Sequence, residues 1–268
     1  MNLKSAALWL IAVAVLSGPA LAQDVEPLRT TEAATALAAA QWVELEPGLA
    51  VKRASAGVGV MITALRIDQD KFKLAAAVQD NPDGQTAESF AQDASAVLAV
   101  NGGFFGEKAE GRDLYSVGLL RIGGKTRSAN WKTTGGYLIF AKDRLAIEPA
   151  STEPPAGAPD LLQSKPLMIE PGGKWAMNTN QGPPRPRTAV CTFRDDATVL
   201  VLLVSGVGLT LYETGWLLRQ KQEGGLFGCD AALALDGGGS TQLWVKDRGD
   251  LAVEGETAVH NALIVLRR

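Results

Sequence analysis

The chain is short of the side chains that most often carry acid–base and metal chemistry. Its 268 residues include one histidine, His260, and two cysteines, Cys191 and Cys229. Two thiols and one imidazole without ligand spacing exclude a zinc site of the usual kind. His260 lies in an apolar strand pattern, where a structural role is the simpler reading. Positive charge is also scarce: formal net charge is −3 and no Lys/Arg run occurs. That excludes nucleic acid and an anionic membrane surface as main partners. No internal repeat of about 20–50 residues is present, so a solenoid or propeller is excluded as well.

Hydrophobic residues make up 46% and charged residues 21%, which supplies a real core for one large domain or two small ones. The 29 glycines announce many turns. At the N-terminus, Lys4 precedes an apolar run from Ala6 to Leu16, then Ser17-Gly18-Pro19 and Ala20-Leu21-Ala22. The run is too short for a membrane span, and Ala-x-Ala is a cleavage signal. The expectation is a signal peptide over residues 1–22, a mature chain from Gln23 and a bacterial periplasmic or secreted address, without stable membrane insertion after cleavage. In an oxidising compartment Cys191 and Cys229 can pair. Two buried free thiols are the alternative, since sequence does not fix the Cα separation a disulfide needs.

Residues 23–55 read as an N-terminal helix, about Thr31 to Gln41 with Thr30 or Thr31 as N-cap, and a lead-in. Residues 56–268 read as one domain. Strands are expected at 58–67, 72–78, 97–100, 187–193, 198–204, 231–235, 242–245 and 258–266, with hairpin signals between 116 and 147. Helices are expected at 86–94, after the turn Asn81-Pro82-Asp83-Gly84, and from Thr210 to about Gln222, ended by Gly224-Gly225. Ser151 to Pro159 is a proline-rich surface loop. Gly172 to Arg185, with Trp175, Asn178 and Asn180, is too long for a simple connector. The fold class is α+β: a single domain with a large mixed or antiparallel β-sheet core and two to three helices.

One stretch organises the rest. The apolar run Ala231 to Leu235 ends in Asp236-Gly237-Gly238-Gly239-Ser240-Thr241. Glycines adopt positive φ freely, and such a backbone can turn successive N–H groups toward one anion. A tight turn capped by Asp236 is the alternative. A parallel arrangement follows Val97 to Val100, where the strand runs into Asn101-Gly102-Gly103-Phe104-Phe105. Two further polar residues stand out. Arg187 opens a strand behind Pro183, Pro184 and Pro186. Glu213 stands three residues after Thr210, a spacing that a capping box also explains.

Asn101-Gly102-Gly103-Phe104-Phe105, Arg187-Thr188-Ala189-Val190, Gly208-Leu209-Thr210-Leu211-Tyr212-Glu213 and Leu235-Asp236-Gly237-Gly238-Gly239-Ser240-Thr241 occur in this order. In order and rough spacing they resemble the phosphodiester glycosidase family, over about Val58 to Leu266. Three positions depart from the family pattern. Thr257 stands where an arginine is common, Cys191 where a glycine follows the Arg-Thr-Ala block, and Ala234 where an asparagine precedes Leu-Asp-Gly-Gly. Cys191 in place of glycine fits a pairing with Cys229 that is local to this chain.

The resemblance implies hydrolysis of a glycosyl-1-phosphodiester in a phosphorylated glycan or sugar phosphate, releasing the sugar and a phosphomonoester. It implies Asp236 as nucleophile, base or electrostatic stabiliser, Glu213 as second carboxylate, and Arg187 on the diester. Substrate contacts are expected from Asn101, Gly102, Gly103, Phe104, Thr188, Gly237, Gly238, Gly239, Ser240, Thr241 and Asn261. No required cofactor is expected, although Asp236 with glycine-loop carbonyls could hold Ca²⁺ or Mg²⁺. Two other readings compete: a non-catalytic periplasmic module for exopolysaccharide or cell-envelope glycans, and a hydrolase of teichoic-acid-like or lipid-linked sugar phosphates.

Overall fold

The run Val199 to Val204 decides the architecture. Alternate residues of a strand point to opposite faces, and here both sets are apolar. Val199, Val201 and Leu203 are buried in one core cluster, and Leu200, Leu202 and Val204 in another. Such a strand has to lie in the middle of a sheet covered on both sides.

The computed structural model describes residues 28–268 apart from 58, 80–81, 109–112, 132–133, 142–143, 151–153, 155–157, 196 and 220. The expected signal peptide, Asn81 and most of the 151–159 loop lie outside the described residues. The chain begins with α1 (Leu28–Ala39), β1 (Val43–Glu46), β2 (Leu49–Ala56), β3 (Val60–Asp68), β4 (Phe72–Val78) and α2 (Ala87–Asp93). Next come β5 (Leu98–Asn101), β6 (Phe105–Glu107), β7 (Leu114–Ser116), β8 (Leu120–Ile122), β9 (Lys125–Ser128), β10 (Gly136–Ala141) and β11 (Arg144–Pro149). Then follow β12 (Asp160–Ser164), β13 (Leu167–Glu170), β14 (Lys174–Trp175), β15 (Arg185–Thr192) and β16 (Thr198–Leu209). The chain closes with α3 (Leu211–Leu218), β17 (Ala231–Ala234), β18 (Leu243–Val245) and β19 (Asn261–Arg267).

An eight-stranded sheet runs in the order β1-β2-β3-β16-β15-β17-β13-β14. A four-stranded sheet (β18-β5-β19-β4) and a five-stranded sheet (β11-β10-β12-β8-β9) complete the main body, and β6 and β7 form a hairpin. The pairings described are antiparallel. The α+β class with a large sheet core is therefore observed.

Three sheets enclose one core. Val190, Val201 and Leu233 from the large sheet meet Leu98, Val100 and Leu263 from the four-stranded sheet and Leu138, Phe140 and Leu162 from the five-stranded one. Burying such a side chain is worth about 1.5–3 kcal/mol. The outer face of the large sheet is covered by Ala33 and Leu37 of α1 and Leu217 and Leu218 of α3. Phe90 and Ala91 of α2 cover Ala99, Ala262 and Ile264 on the outer face of the four-stranded sheet.

Three elements differ from the sequence reading. The lead-in contains β1 and β2, and β2 pairs with β3 from Leu49↔Ile67 to Ala56↔Val60. The boundary drawn after residue 55 thus falls at the last residue of a strand in the largest sheet. Lys52, Arg53 and Ser55 dilute the apolar alternation of β2, so pairing rather than local pattern makes it a strand. Second, α1 starts at Leu28, which puts Thr30 and Thr31 inside the helix and not at its cap. Third, α3 ends at Leu218, and Arg219 is already extended (φ −55°, ψ 165°). The returning chain explains the early stop. The N–H groups of Leu226 and Phe227 donate to the Leu217 carbonyl, and Cys229 N–H donates to that of Leu218.

Cys229 follows this return and forms a disulfide with Cys191 on β15, with Cα atoms 5.8 Å apart. The bond closes a 38-residue separation, for which loop-closure entropy gives about 4 kcal/mol. Replacing both cysteines by alanine should lower the thermal midpoint by about 10 °C in calorimetry. An unchanged midpoint would show that packing of the return against α3 suffices without the bond.

Candidate active site

β5 and β17 belong to different sheets, yet both end at one place. Asn101, the last residue of β5, is 0% exposed and joins them. Its Nδ2 donates to the Asp236 carbonyl at 2.7 Å. Its Oδ1 accepts from the Thr188 hydroxyl at 2.7 Å and from the Gln242 N–H at 3.3 Å. Asp236 N–H donates in turn to the Gly102 carbonyl at 3.0 Å. A Cβ on Gly102 would stand 2.0 Å from Asn261 Oδ1, so only glycine lets the two strand ends approach. Asn261 Oδ1 accepts from Gly103 N–H at 2.7 Å, and its Nδ2 donates to the Ser116 hydroxyl.

Beyond this junction the chain carries Asp236 into a glycine loop. Asp236 Oδ1 accepts from Gly237 N–H at 2.8 Å. Burial pushes the Asp236 carboxyl above the ordinary carboxylate range, and hydrogen bonds from the Ser240 hydroxyl and Gly237 N–H pull partly back. Gly238, at φ +62°, opens a single 3-10 turn to Ser240. One expected anion-binding N–H, that of Gly237, is thus turned onto the neighbouring carboxylate. Those of Gly238 and Gly239 take no acceptor among the described residues.

Arg187 lies against this loop. A Cβ on Gly237 would be 3.6 Å from Arg187 Cδ and 3.7 Å from Nη1. The guanidinium is held by carbonyls: Nε donates to Leu209 at 3.0 Å and Nη2 to Pro183 at 3.1 Å. Among the described residues no carboxylate pairs with it. Burial, followed by the charge of Arg185, lowers its hold on its proton, yet a guanidinium stays charged in a protein. An arginine set against the loop that carries a desolvated aspartate suits a substrate that brings its own anion next to an electron-poor carbon.

The other expected site residues divide. Glu213 is 4% exposed and completes a capping box. Its Oε2 accepts from Thr210 N–H at 2.8 Å, while Thr210 Oγ1 accepts from Glu213 N–H and donates to Asn180. The capping box that the Thr-x-x-Glu spacing also offered is therefore present. Thr188 and Asn261 are buried and bonded to protein groups, so they support the loop from beneath. Thr241 is buried behind the turn. Phe104 is half-buried, with its ring 6.1 Å from that of Trp131.

Two contributors were missed in the sequence. Gln242 bonds Asn101 through its N–H, and through Nε2 the carbonyls of Ser240 and Thr257. Glu256 sets its carboxylate over Gly239, with Oε2 2.9 Å from where a Cβ would be. Gln242, directly after Ser240-Thr241, had a positional signal; Glu256 had none. Among the described residues no group of three or more His, Cys, Asp or Glu could hold a metal ion. A cavity of about 670 Å³ lined by Trp42, Arg66 and Phe193 lies at the other end of β15 and β16, away from Asp236.

The family model described as phosphodiester glycosidase matches residues 94–266. No curated protein matches the chain. Among solved structures, a hypothetical protein from Synechocystis superposes with a TM-score of 0.60 at 16% identity, covering 85% of this chain. The chain spans 64% of that protein's length. The catalytic domain of zebrafish N-acetylglucosamine-1-phosphodiester alpha-N-acetylglucosaminidase, auto-inhibited by its pro-peptide, gives a TM-score of 0.60 at 14% identity, covering 85% of this chain and 88% of that one. A Burkholderia pseudomallei protein described as exported gives 0.57 at 15% identity, covering 81% and 74%.

Two outcomes follow from the geometry. An aspartate with a raised folded-state pKa ionises more readily in the unfolded chain, so stability falls as pH rises past the ordinary value and stays lower at neutral pH. Asp236→Asn keeps an acceptor for Gly237 and should therefore match the parent's melting temperature below about pH 3 and exceed it above about pH 6. Asn101→Leu strands a hydroxyl, an N–H and a carbonyl in the interior. It should lower unfolding stability by about 3 kcal/mol or more, read as a shift of the urea midpoint at constant slope.

Proposed function

The chain belongs to the phosphodiester glycosidase family, and on that premise we propose that it is an exported hydrolase of glycosyl-1-phosphodiesters. The observation that carries the reading is Arg187: a guanidinium without a carboxylate partner among the described residues, set against the loop that carries a desolvated Asp236. Water adds across the bond between the anomeric carbon and the bridging oxygen. Hydroxide goes to carbon, giving the free sugar, and the proton goes to the departing phosphomonoester. Arg187, with the N–H groups of Gly238 and Gly239, faces the diester. Asp236 faces the developing oxocarbenium ion, where a nearby carboxylate lowers the barrier. A phosphate leaves readily, so weak acid assistance is sufficient and Glu213 can remain in its capping box.

Export is supported by the Ala-x-Ala signal, by the disulfide, and by a structural neighbour described as exported. Among the described residues no helix is long and apolar enough to cross a membrane. A required metal is not part of the reading. The non-catalytic alternative, a binding module for envelope glycans, does not explain why a carboxylate is kept desolvated on that loop.

The test is release of free N-acetylglucosamine from UDP-N-acetylglucosamine and from a methyl phosphodiester of N-acetylglucosamine 1-phosphate. Asp236→Ala should reduce kcat/KM about 10³-fold. Arg187→Lys, which loses the planar fork, should reduce it about 10²-fold. If ionised Asp236 is required, the acid limb of the pH profile should lie above the ordinary aspartate range, in the direction burial pushes it. Activity should survive extensive chelation. Absence of turnover over a panel of sugars, or full activity in Asp236→Ala, would refute the reading.

A further inference from the structure

Beside the site stands a side-chain group that the hydrolytic reading leaves unused. Trp131 lies in the loop between β9 and β10. Its backbone is clamped from both sides by Gln163, which is 1% exposed. Trp131 N–H donates to Gln163 Oε1 at 2.9 Å, and Gln163 Nε2 donates to the Trp131 carbonyl at 2.9 Å. The buried amide thus fixes the backbone from which the indole projects. The ring rests against Gly118, where an added Cβ would come within 3.3 Å, and tilts at 47° to Phe104. Lys165 sits over the same ring, with Nζ 4.5 Å from its centroid. Lys165 is exposed, and among the described residues no carboxylate pairs with it.

The fold sets this group beside Asp236. Phe104 is two residues from Gly102, whose carbonyl accepts from Asp236 N–H. Pro166, next to Lys165, accepts from Ala234 N–H, and β13 and β17 pair as Leu167↔Leu233. Lys165 thus stands opposite the end of the strand that delivers Asp236. Gln163 also closes on the loop, since a Cβ on Gly103 would be 3.1 Å from its carbonyl.

We propose that Phe104, Trp131 and Lys165 form the subsite for the leaving group, and that this group is a sugar ring carrying a carboxylate. The inference rests on the hydrolytic reading above. An aromatic face takes the C–H face of a sugar ring, and Lys165 supplies the charge for an acid on it. Charge development decides which half of the substrate lies here. The anomeric carbon becomes positive in the transition state, so a cation beside the glycosyl ring would raise the barrier. Negative charge grows on the departing phosphate, so a cation is favoured on that side.

The full chain should be assayed with three diesters of N-acetylglucosamine 1-phosphate, bearing methyl, glucosyl and glucuronosyl leaving groups. The parent's KM should fall in that order. Lys165→Gln should raise KM about tenfold for the glucuronosyl diester alone, with kcat unchanged, and Lys165→Arg should keep the preference. Trp131→Ala should raise KM for both sugar diesters and leave the methyl diester unaffected. Equal effects on all three substrates, or no preference in the parent, would overturn the subsite. If no diester is turned over, the hydrolytic reading fails and calorimetric titration reads the subsite separately. A tenfold weaker affinity of Lys165→Gln for glucuronic acid 1-phosphate, with glucose 1-phosphate unchanged, would support it. Equal losses for the two phosphates, or none, would overturn it.

Discussion

The side-chain amide of Asn101 is the interaction on which the site depends. It has one donor group and one acceptor group, and it uses them on three elements at once: Thr188 on β15, the Asp236 carbonyl after β17, and the Gln242 N–H before β18. The large sheet and the four-stranded sheet are thereby fixed at the point where two strands release their loops. An amide can do this because it donates and accepts in one plane. A carboxylate there would lose the donor, and an apolar residue would leave three buried groups unpaired. Glycine at 102 is the steric counterpart, since any side chain would push Asn261 away.

On this junction stands a pair of charges left in unfavourable surroundings. Asp236 is desolvated beyond what Ser240 and Gly237 offset, and Arg187 is held by carbonyls, with no carboxylate partner among the described residues. Neither arrangement favours folding. Both are held by a rigid surround: strands buried on two faces, a core shared by three sheets, and a disulfide fixing the segment that returns toward β17. Stability is spent at the site and supplied around it, the usual relation between a preorganised site and its scaffold. The clamp of Gln163 on Trp131 repeats the pattern, with a buried amide setting the backbone of a half-buried tryptophan.

Much of the fold was legible because strand and turn signals are local. The strands at 198–204 and 231–235, the short helix near 86–94 and the Thr210 capping box were all read correctly in kind. The misses share a cause. Strand β2 carries a diluted pattern and exists by pairing with β3. Helix α3 stops early because a distant return takes its carbonyls. The Thr-x-x-Glu cap, by contrast, was legible, because the bonds that make it are local.

The sequence by itself determined the class, the order of the motif blocks, and Asn101, Arg187 and Asp236 as residues of interest. Apolar period, turn chemistry and residue type are written along the chain. Only the tertiary structure decided which of these residues are supports and which stand free to act. Asn101, Thr188 and Asn261 are buried and bonded to protein groups, Glu213 completes a cap, and Arg187 lies against the loop that carries Asp236. Gln242 and Glu256 pack at the junction and the glycine loop without belonging to any motif. The physical reason is that burial and pairing are properties of what surrounds a group, and here the surroundings come from segments 87 to 135 residues apart in sequence.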